Sequence, residues 1–431
     1  MHRSIAKQPG PPHFAAAVSN LLAFQGNPLE DLERAIAAEP RFSMAHVLKA
    51  LVLGLSTDKS LMGGALSSLA AARSIESGNC APVTRHIAAV DAWLRGGFTA
   101  ACAIWEEILI EQPDDAIAMF VAHQGDFLLG HVSELRDRVA RRLADLEEGS
   151  ALQGYYRGMY AFGLEEMGDY DKALEIGRRA VARDGSDAWA IHAVAHVHEM
   201  TNQIDAGERW LSANMNGWAD STLSVHLWWH RALLQCDQQR WDRALDLYDS
   251  HVRRPASTVV MELLDASSLL WRLRLQDVDV GDRWQSLADA WAPHIEEGWY
   301  AFNDMHAMMA FAGAGRIDLA QRLLAVLRAA AAEPMDNGAV TRAIGLPVCE
   351  ALLAYADNRY AEAAALLRPT AKLAVRAGGS HAQRDVLAQT ELSAAEKAGH
   401  IAAARALLNE RLALRPTSLL NQRWMQRVLR S

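Results

Sequence analysis

An all-α fold built from repeated helix-turn-helix units is what this sequence predicts. Three observations point to it: the composition, a recurring turn and the spacing of that turn. Hydrophobic residues make up 51% of the 431 residues and are spread along the chain, which argues for continuous packing rather than disorder. Ala, Leu, Arg and Glu are abundant, and these residues lose little side-chain entropy in a helix.

The recurring turn has the form Gly-x-aromatic-x-x-Ala. In its clearest copy Gly168 and Asp169 end one helix, Tyr170 begins the next, and Ala173 allows that next helix to pack closely. Five related turns each stand before an amphipathic segment: Gly96-Gly97-Phe98 to Ala101, Gln239-Arg240-Trp241 to Ala244, Gly315-Arg316-Ile317 to Ala320, Asn358-Arg359-Tyr360 to Ala363, and Gly399-His400-Ile401 to Ala404.

Counting back from these turns gives the starts of the units. The starts fall near residues 82, 116, 154, 188, 225, 301, 344 and 385, with room for a degenerate unit near 262 and two further helix pairs in 14–80. The units near 154 and 188 are 34 residues apart, which is the tetratricopeptide period. We therefore predict a flexible N-terminus over 1–13 and one tetratricopeptide-like α-solenoid over 14–431, curved enough to enclose a pocket.

The net charge and the lack of recognisable targeting signals indicate which classes of partner to expect. The net charge of -9 gives no overall attraction to a phosphate backbone or an anionic membrane, so we expect neither nucleic acid nor membrane as a partner. The first residues lack the apolar segment of a secretory signal, and no uncharged apolar run approaches membrane-spanning length. We expect a soluble cytoplasmic protein whose four cysteines, which form no CxxC motif, are core residues: Cys80, Cys102, Cys236 and Cys349.

The segment Asp187–Met200 carries the most informative polar residues. His192, His196 and Glu199 follow i, i+4, i+7 spacing and so share one helix face, whereas Val194 and Val197 point to the packing side. In the tetratricopeptide register the polar face looks into the concave groove. A groove-facing His196 would contribute little to packing.

Further polar residues fall on the first helices of later units. Successive first helices stand side by side in a solenoid, so we expect His192, His196, His230, Asp304 and His306 to converge in one pocket. The predicted catalytic residues are His192, His196, Glu199, His230, Asp304 and His306, and the predicted ligand-binding residues are His226, Trp229, Asn303, Gln383, Arg384 and Asp385.

Three interpretations of this cluster remain open. The groups can bond to one another as ordinary buried polar residues. They can hold a divalent metal ion, since the ligand types fit, although no HExxH spacing is present and no cofactor is identified. They can also form an organic-ligand or acid-base site in which a histidine carries a proton and a carboxylate orients it.

Seven segments in order match one known family: 101–109, 187–200 with its HxxxHxHEM core, 226–233, 280–285, 302–306, 345–349 and 378–385. On these segments the chain resembles the tetratricopeptide repeat protein 38 family over nearly its whole length. The resemblance implies a helical-repeat fold and a soluble intracellular protein, and it brings no settled activity.

Two functions follow from these observations. The first is a small-molecule-binding or catalytic protein that uses the His and carboxylate cluster. The alternative is a tetratricopeptide-type scaffold for a peptide or protein partner. Such scaffolds usually bind carboxylates through Lys, Arg and Asn, whereas the predicted groove presents His and acidic groups, which favours the first function. Whether the chain is an enzyme and whether it forms a homo-oligomer are left open.

Overall fold

A computed structural model describes residues 11–76, 81–146, 149, 150, 152–253 and 257–430. These residues form helices joined by short turns, and no strand occurs among them, which confirms the all-α prediction. The α-helices are α1 (Pro12–Ala23), α2 (Pro28–Ala38), α3 (Ser43–Leu55), α4 (Met62–Ile75), α5 (Ala81–Leu94), α6 (Phe98–Glu111), α7 (Ala116–Leu129), α8 (Val132–Leu143), α9 (Leu152–Glu166), α10 (Tyr170–Arg183), α11 (Ala188–Met200), α12 (Ile204–Ala213), α13 (Met215–Trp218), α14 (Ser224–Asp237), α15 (Trp241–Leu247), α16 (Val260–Leu275), α17 (Arg283–Trp291), α18 (Ala301–Gly313), α19 (Ile317–Ala330), α20 (Asp336–Val340), α21 (Leu346–Ala356), α22 (Tyr360–Thr370), α23 (His381–Lys397), α24 (Ile401–Leu414) and α25 (Leu419–Val428).

All six predicted turns are confirmed. The second helix begins at the aromatic or isoleucine residue of the turn in every case, as α10 does at Tyr170. The residue two positions earlier has a positive φ, 81° at Gly168 and 61° at Asn358. In the clearest copy the amide of Asp169 donates to the Leu164 carbonyl at 2.9 Å, the six-to-one hydrogen bond of a Schellman helix ending.

The small residue of each turn lies where the two helices approach. The alanine at the fourth position of the second helix is at most 1% exposed in all six repeats: Ala101, Ala173, Ala244, Ala320, Ala363 and Ala404. A larger side chain there would separate the helices, because protein interiors have no spare volume at a close crossing. The recurring alanine is therefore needed for helix packing and does not indicate a catalytic or binding role.

The predicted repeat starts also match the structure. Helices begin at Ala116, Ala188 and Ala301, and α16 at Val260 is the degenerate unit expected near 262. These helix pairs define the chain as a tetratricopeptide-like helical-repeat protein. Two turns of the same kind escaped the sequence search, because one has Gly207 in place of the alanine and the other has Leu135.

The described residues form two compact units. The first contains the residues up to Val197 together with Ser212–Ser224, and the second contains His198–Leu211 and the residues from Val225 onward. The single-domain prediction for 14–431 stays a prediction. At the N-terminus α1 already begins at Pro12, and residues 1–10 of the predicted flexible segment lie outside the described residues.

One helical run is both long and apolar, although Arg342 and Glu350 interrupt it, so the expectation that no uncharged apolar run approaches membrane-spanning length stands. Asp336–Ala356, in which a π-turn joins α20 to α21, is long and apolar enough by composition to cross a membrane, with a mean hydropathy of 1.3. It is weak evidence for a membrane span, since 56% of the window is buried and core helices pass the same test. Cys102, Cys236 and Cys349 are buried and reduced as predicted, and Cys80 lies outside the described residues.

The close approach of α8 and α9 depends on Gly163. A Cβ at that residue would lie 2.5 Å from backbone atoms of Leu135 and Arg136, so the helices would have to move apart. Leu135 occupies the position that alanine holds in the other repeats, and the missing side chain of Gly163 compensates for its bulk.

We predict that Gly163→Ala lowers the free energy of unfolding by about 1–3 kcal/mol through overpacking. The matched control is Gly154→Ala in the same helix, where the nearest atom to a new Cβ would be Arg183 Cδ at 3.5 Å. Helix propensity makes this control neutral or stabilising by up to about 1 kcal/mol. Urea unfolding of both variants checks the pair, and an equal effect of the two substitutions would contradict the packing argument.

Candidate functional site

In the first unit His192 and His196 lie on one face of α11. Their ring centroids are 4.4 Å apart, and Phe162 of α9 packs against both rings at 5.5 and 5.4 Å. Val197 joins the buried cluster with Leu164, which also belongs to α9. The two histidines share one face of α11 as their spacing predicts, but that face is buried against α9 just as the valine is.

The polar face of α11 in this unit meets two carboxylates of α9. His196 Nδ1 lies 3.5 Å from Glu165 Oε2, and Glu166 is adjacent. One ligand atom from each of these three residues falls within 4.8 Å of the others, and all three side chains are buried. The ligand types suit a divalent cation, so the metal interpretation stays a prediction here.

The expectation that His196 contributes little to packing is wrong. Its side chain is 0% exposed and its ring meets Phe162 edge to face. Truncation to alanine would remove these contacts whatever the function of the imidazole. A loss of stability in His196→Ala therefore does not separate a structural from a functional role.

In the second unit two imidazoles are each paired with a carboxylate. His226 Nδ1 is 2.9 Å from Asp265 Oδ2, and His230 Nδ1 is 2.7 Å from Glu199 Oε2. An ionised carboxylate only accepts hydrogen bonds, so Nδ1 carries the proton and donates in both pairs. The lone pair of each ring is then on Nε2, the arrangement that carboxylates impose on histidines that act as bases or metal ligands.

Helix α14 brings these two pairs together. His226 and His230 are one turn apart, with ring centroids separated by 4.7 Å, and the Trp229 ring stacks on His226 at 5.1 Å. His226, Trp229 and His230, all singled out from the sequence, thus form one buried group. Asp265 was missed because it belongs to the degenerate repeat.

A buried arginine, Arg272, joins this group to the rest of the second unit. Its guanidinium lies over the Trp229 ring at 5.3 Å and donates to the Ala382 carbonyl at 2.6 Å and the Ser268 carbonyl at 3.2 Å. The side chain is 4% exposed, and burial lowers the pKa of Arg272, which Asp385 and then Glu199 counteract. Asp385 and Glu199 are therefore the carboxylates whose charges favour the protonated guanidinium of Arg272.

Asp385 is held by a second arginine. Arg411 donates to both of its oxygens, at 2.6 and 3.1 Å, and Gln389 donates to Oδ2 at 2.7 Å. Burial alone would raise the pKa of Asp385, but Arg411, followed by Arg415, holds it well below the usual range. Asp385 is therefore ionised at neutral pH.

A partly enclosed cavity of about 40 Å³ lies beside these residues in the second unit. Three guanidinium groups and three carboxylates line it, together with the thiol of Cys236, whose pKa burial raises to about 12. The charged lining residues are Arg272, Arg411, Arg415, Glu199, Asp237 and Asp385. Glu199 and Arg272 belong both to this cavity wall and to the histidine group.

Three other predicted residues of the second unit lie on α18 and are buried. His306 Nδ1 donates to the Phe302 carbonyl at 2.8 Å, and burial lowers the pKa of His306 to about 4, so the ring is neutral. The Asp304 carbonyl accepts from the Cys349 thiol at 3.7 Å, and Asn303 is buried on the same helix.

Two predicted ligand-binding residues at the start of α23 also have structural contacts. The Gln383 side chain completes a capping box with Ser380. Arg384 donates to the Gly379 carbonyl. Their roles in ligand binding stay predictions.

Of the twelve predicted residues, His192 and His196 belong to the first unit and the other ten to the second. The convergence of His192, His196, His230, Asp304 and His306 in one pocket stays a prediction. Sequence reasoning missed Asp265, Arg272, Asp237, Arg411 and Arg415. A usable signal existed for Asp265 and Arg272, since they are charged residues at i, i+7 and so share one face in the apolar middle of α16.

No family model matches the chain. Among similar solved structures, the human IFIT1 dimer with m7Gppp-AAAA is 14% identical, with 96% of this chain and 99% of that chain covered and a TM-score of 0.38. Yeast Tom70 is 13% identical, with coverage of 96% and 86% and a TM-score of 0.34. Naa15/Naa10 bound to HypK-THB is 13% identical, with coverage of 94% and 63% and a TM-score of 0.26. At these values the likenesses carry no argument about what this chain binds.

Acidification is predicted to destabilise the protein through His306. Its pKa is about 4 when folded, against about 6.5 for an exposed histidine, so the unfolded chain binds the proton first as the pH falls. The stabilising contribution is complete above pH ~6.5 and is lost towards pH ~4, by about 3 kcal/mol. His306→Gln should flatten the pH dependence of the unfolding free energy in that interval, whereas His400→Gln, which removes an exposed imidazole, should not. An unchanged slope in His306→Gln would refute this assignment.

Removal of Arg272 is predicted to destabilise the second unit. Arg272→Met removes the donor to the Ala382 and Ser268 carbonyls and the guanidinium over the Trp229 ring, and we expect a loss of about 1–3 kcal/mol in urea unfolding. Arg243→Met, at an exposed position of α15, is the control and should change stability by less than ~0.5 kcal/mol. A loss below ~1 kcal/mol in Arg272→Met would show that the charge is not needed for folding.

Proposed function

We propose that this chain binds a small polar molecule in its second unit and that His226 and His230 exchange a proton with it or recognise it. One observation carries the proposal: two adjacent buried imidazoles each donate from Nδ1 to a carboxylate of their own, and one of these carboxylates, Glu199, also lines the charged cavity. Isolated imidazole–carboxylate pairs also occur elsewhere in the chain, as at His294 and Glu297. A purely structural role would not require two such pairs one helical turn apart.

The chemistry of this group suits acid-base work. With the proton on Nδ1, the Nε2 lone pair of each histidine is the basic site, and the paired carboxylate stabilises the imidazolium that forms when Nε2 accepts a proton. Arg272 adds a fixed positive charge that would orient an anionic part of the bound molecule. These residues supply a base, an acid and a charge anchor within one unit.

A second candidate is a scaffold for a peptide or protein partner. The helical-repeat fold itself favours it, as do two exposed leucines near the ends of the last two helices, Leu414 at 82% and Leu429 at 60% exposure. This proposal rests on fold analogy and on two exposed apolar side chains.

Membership of the tetratricopeptide repeat protein 38 family and a cytoplasmic location complete the proposal. The family assignment is supported by the ordered series of matching segments along the chain, several of which contain the site residues. The location is supported by composition alone.

A thermal-shift panel tests the proposed function. The probes are amino acids, carboxylates, phosphorylated compounds, sugars and nucleotides at millimolar concentration, each measured with the full chain. We expect at least one chemical class to raise the unfolding midpoint of the wild type, because a ligand that binds only the folded state stabilises it. The same class should have no effect on His230→Gln, which removes the basic imidazole.

The control is His400→Gln, which removes an exposed imidazole and should respond as the wild type does. If no class shifts the wild-type midpoint, the small-molecule proposal fails and the scaffold becomes the better account. If a class shifts the wild type and His230→Gln equally, binding occurs without the histidine group and its proposed role is wrong.

A further inference from the structure

We propose that the cavity of the second unit binds the head of an α-amino acid or a similar small zwitterion, with its carboxylate at Arg415 and its ammonium group at Asp237. This inference rests on the proposed function and names its ligand class. It follows from the hydrogen-bonding state of the cavity wall, from its charge balance and from its size.

Asp237, the last residue of α14, has one carboxylate oxygen without a described hydrogen-bond partner. Its Oδ1 accepts from the Ser418 hydroxyl at 2.6 Å, whereas Oδ2 is buried and has no hydrogen-bond partner among the described residues. A buried polar atom without a partner costs about 1–3 kcal/mol. A ligand that donates hydrogen bonds to Oδ2 would remove that cost.

The same wall also has hydrogen-bond donors that lack a described oxygen acceptor. Gln276 Nε2 is also buried without a partner among the described residues. Arg415 has one described hydrogen bond, to the Met200 sulfur at 3.1 Å, and a thioether is a weak acceptor. An amide and a guanidinium that both lack an oxygen acceptor match a carboxylate, which accepts several hydrogen bonds at once.

Arg272 and Arg411 differ from Arg415 in this respect. Arg272 donates to the Ala382 carbonyl, and Arg411 is committed to Asp385 by two hydrogen bonds. These two arginines hold the wall together, and Arg415 is the guanidinium whose bonding capacity is least used. The ligand carboxylate is therefore assigned to Arg415.

The formal charges of the cavity wall cancel one another. Three arginines face three carboxylates across the cavity, so the wall has no net formal charge when all six groups are ionised. A dianion such as a phosphate ester would leave the site with excess negative charge, and a free amine would leave excess positive charge. A zwitterion keeps the balance while placing each of its charges beside an opposite one.

The cavity is small. A single water molecule needs a cavity volume of roughly 10–15 Å³. The 40 Å³ of this cavity corresponds to about three water-sized groups, so it admits only a small head group, for which the five heavy atoms of an amino-acid head are the upper limit. Because the cavity is only partly enclosed, a side chain on the ligand would extend out of it. Ordered water alone is the competing occupant.

Calorimetric titration with three matched probes tests the proposal. Glycine carries both charges, acetate only the carboxylate and methylamine only the ammonium group. We expect saturable binding of glycine to the wild-type chain and at least about tenfold weaker binding of acetate and methylamine, because each lacks one of the two charge-assisted contacts.

The variants Asp237→Asn and Arg415→Gln should each weaken glycine binding about tenfold or more. Their controls are exposed residues on the same or a neighbouring helix, Asp242→Asn and Arg405→Gln, which should bind glycine as the wild type does. Circular dichroism and thermal unfolding of each variant verify folding. Asp237→Asn retains the acceptor for Ser418, so it stays informative if Arg415→Gln does not fold.

Three results would overturn the proposal. The first is absence of glycine binding, which leaves water as the occupant. The second is equal binding of glycine and acetate, which indicates an anion site. The third is binding that neither variant weakens. If the thermal-shift panel then identifies another class that depends on His230, the proposed function stands and only the zwitterion assignment fails.

Discussion

The close approach of the two helices in each repeat is the constraint on which the other features depend. A residue with at most a methyl side chain occupies the fourth position of the second helix in the six predicted turns, and a left-handed residue ends the helix before it. Where Leu135 breaks this rule, Gly163 on the facing helix provides the missing space. With the helices this close, polar residues on first helices are buried whether or not they have a catalytic task.

Burial explains why charges in the second unit occur in balanced groups. Asp385 is matched by Arg411, whereas Asp265 and Glu199 accept hydrogen bonds from the neutral rings of His226 and His230. An unbalanced charge at these positions would cost several kcal/mol, so each site residue requires a partner from another repeat. The same requirement gives significance to three groups on that wall: the unpartnered Oδ2 of Asp237, the unpartnered Nε2 of Gln276, and Arg415 with its weak sulfur acceptor.

Sequence reasoning predicted the repeats well because their signals are local. Turn, small residue and period all lie within one unit, so the starts of α7, α11 and α18 could be counted directly. The partners of the site residues are long-range: Asp265 is 39 positions from His226, and the Ala382 carbonyl is 110 positions from Arg272. Spacing along one helix predicts that His226 and His230 share a face, but it contains no information about which carboxylate each meets. For the same reason the burial of His196 was underestimated.

The tautomeric state of His226 and His230 tests the central claim, that their carboxylates fix the proton on Nδ1 and leave Nε2 as the base. Long-range nitrogen–proton correlation spectra of histidine-labelled protein, assigned with His226→Gln and His230→Gln, measure this state for each ring. The account predicts protonated Nδ1 and a lone pair on Nε2 in both residues at neutral pH, and a change in the His230 ring alone in Glu199→Gln. Protonation on Nε2 with a lone pair on Nδ1 would contradict it, because the carboxylates would then have no proton to accept.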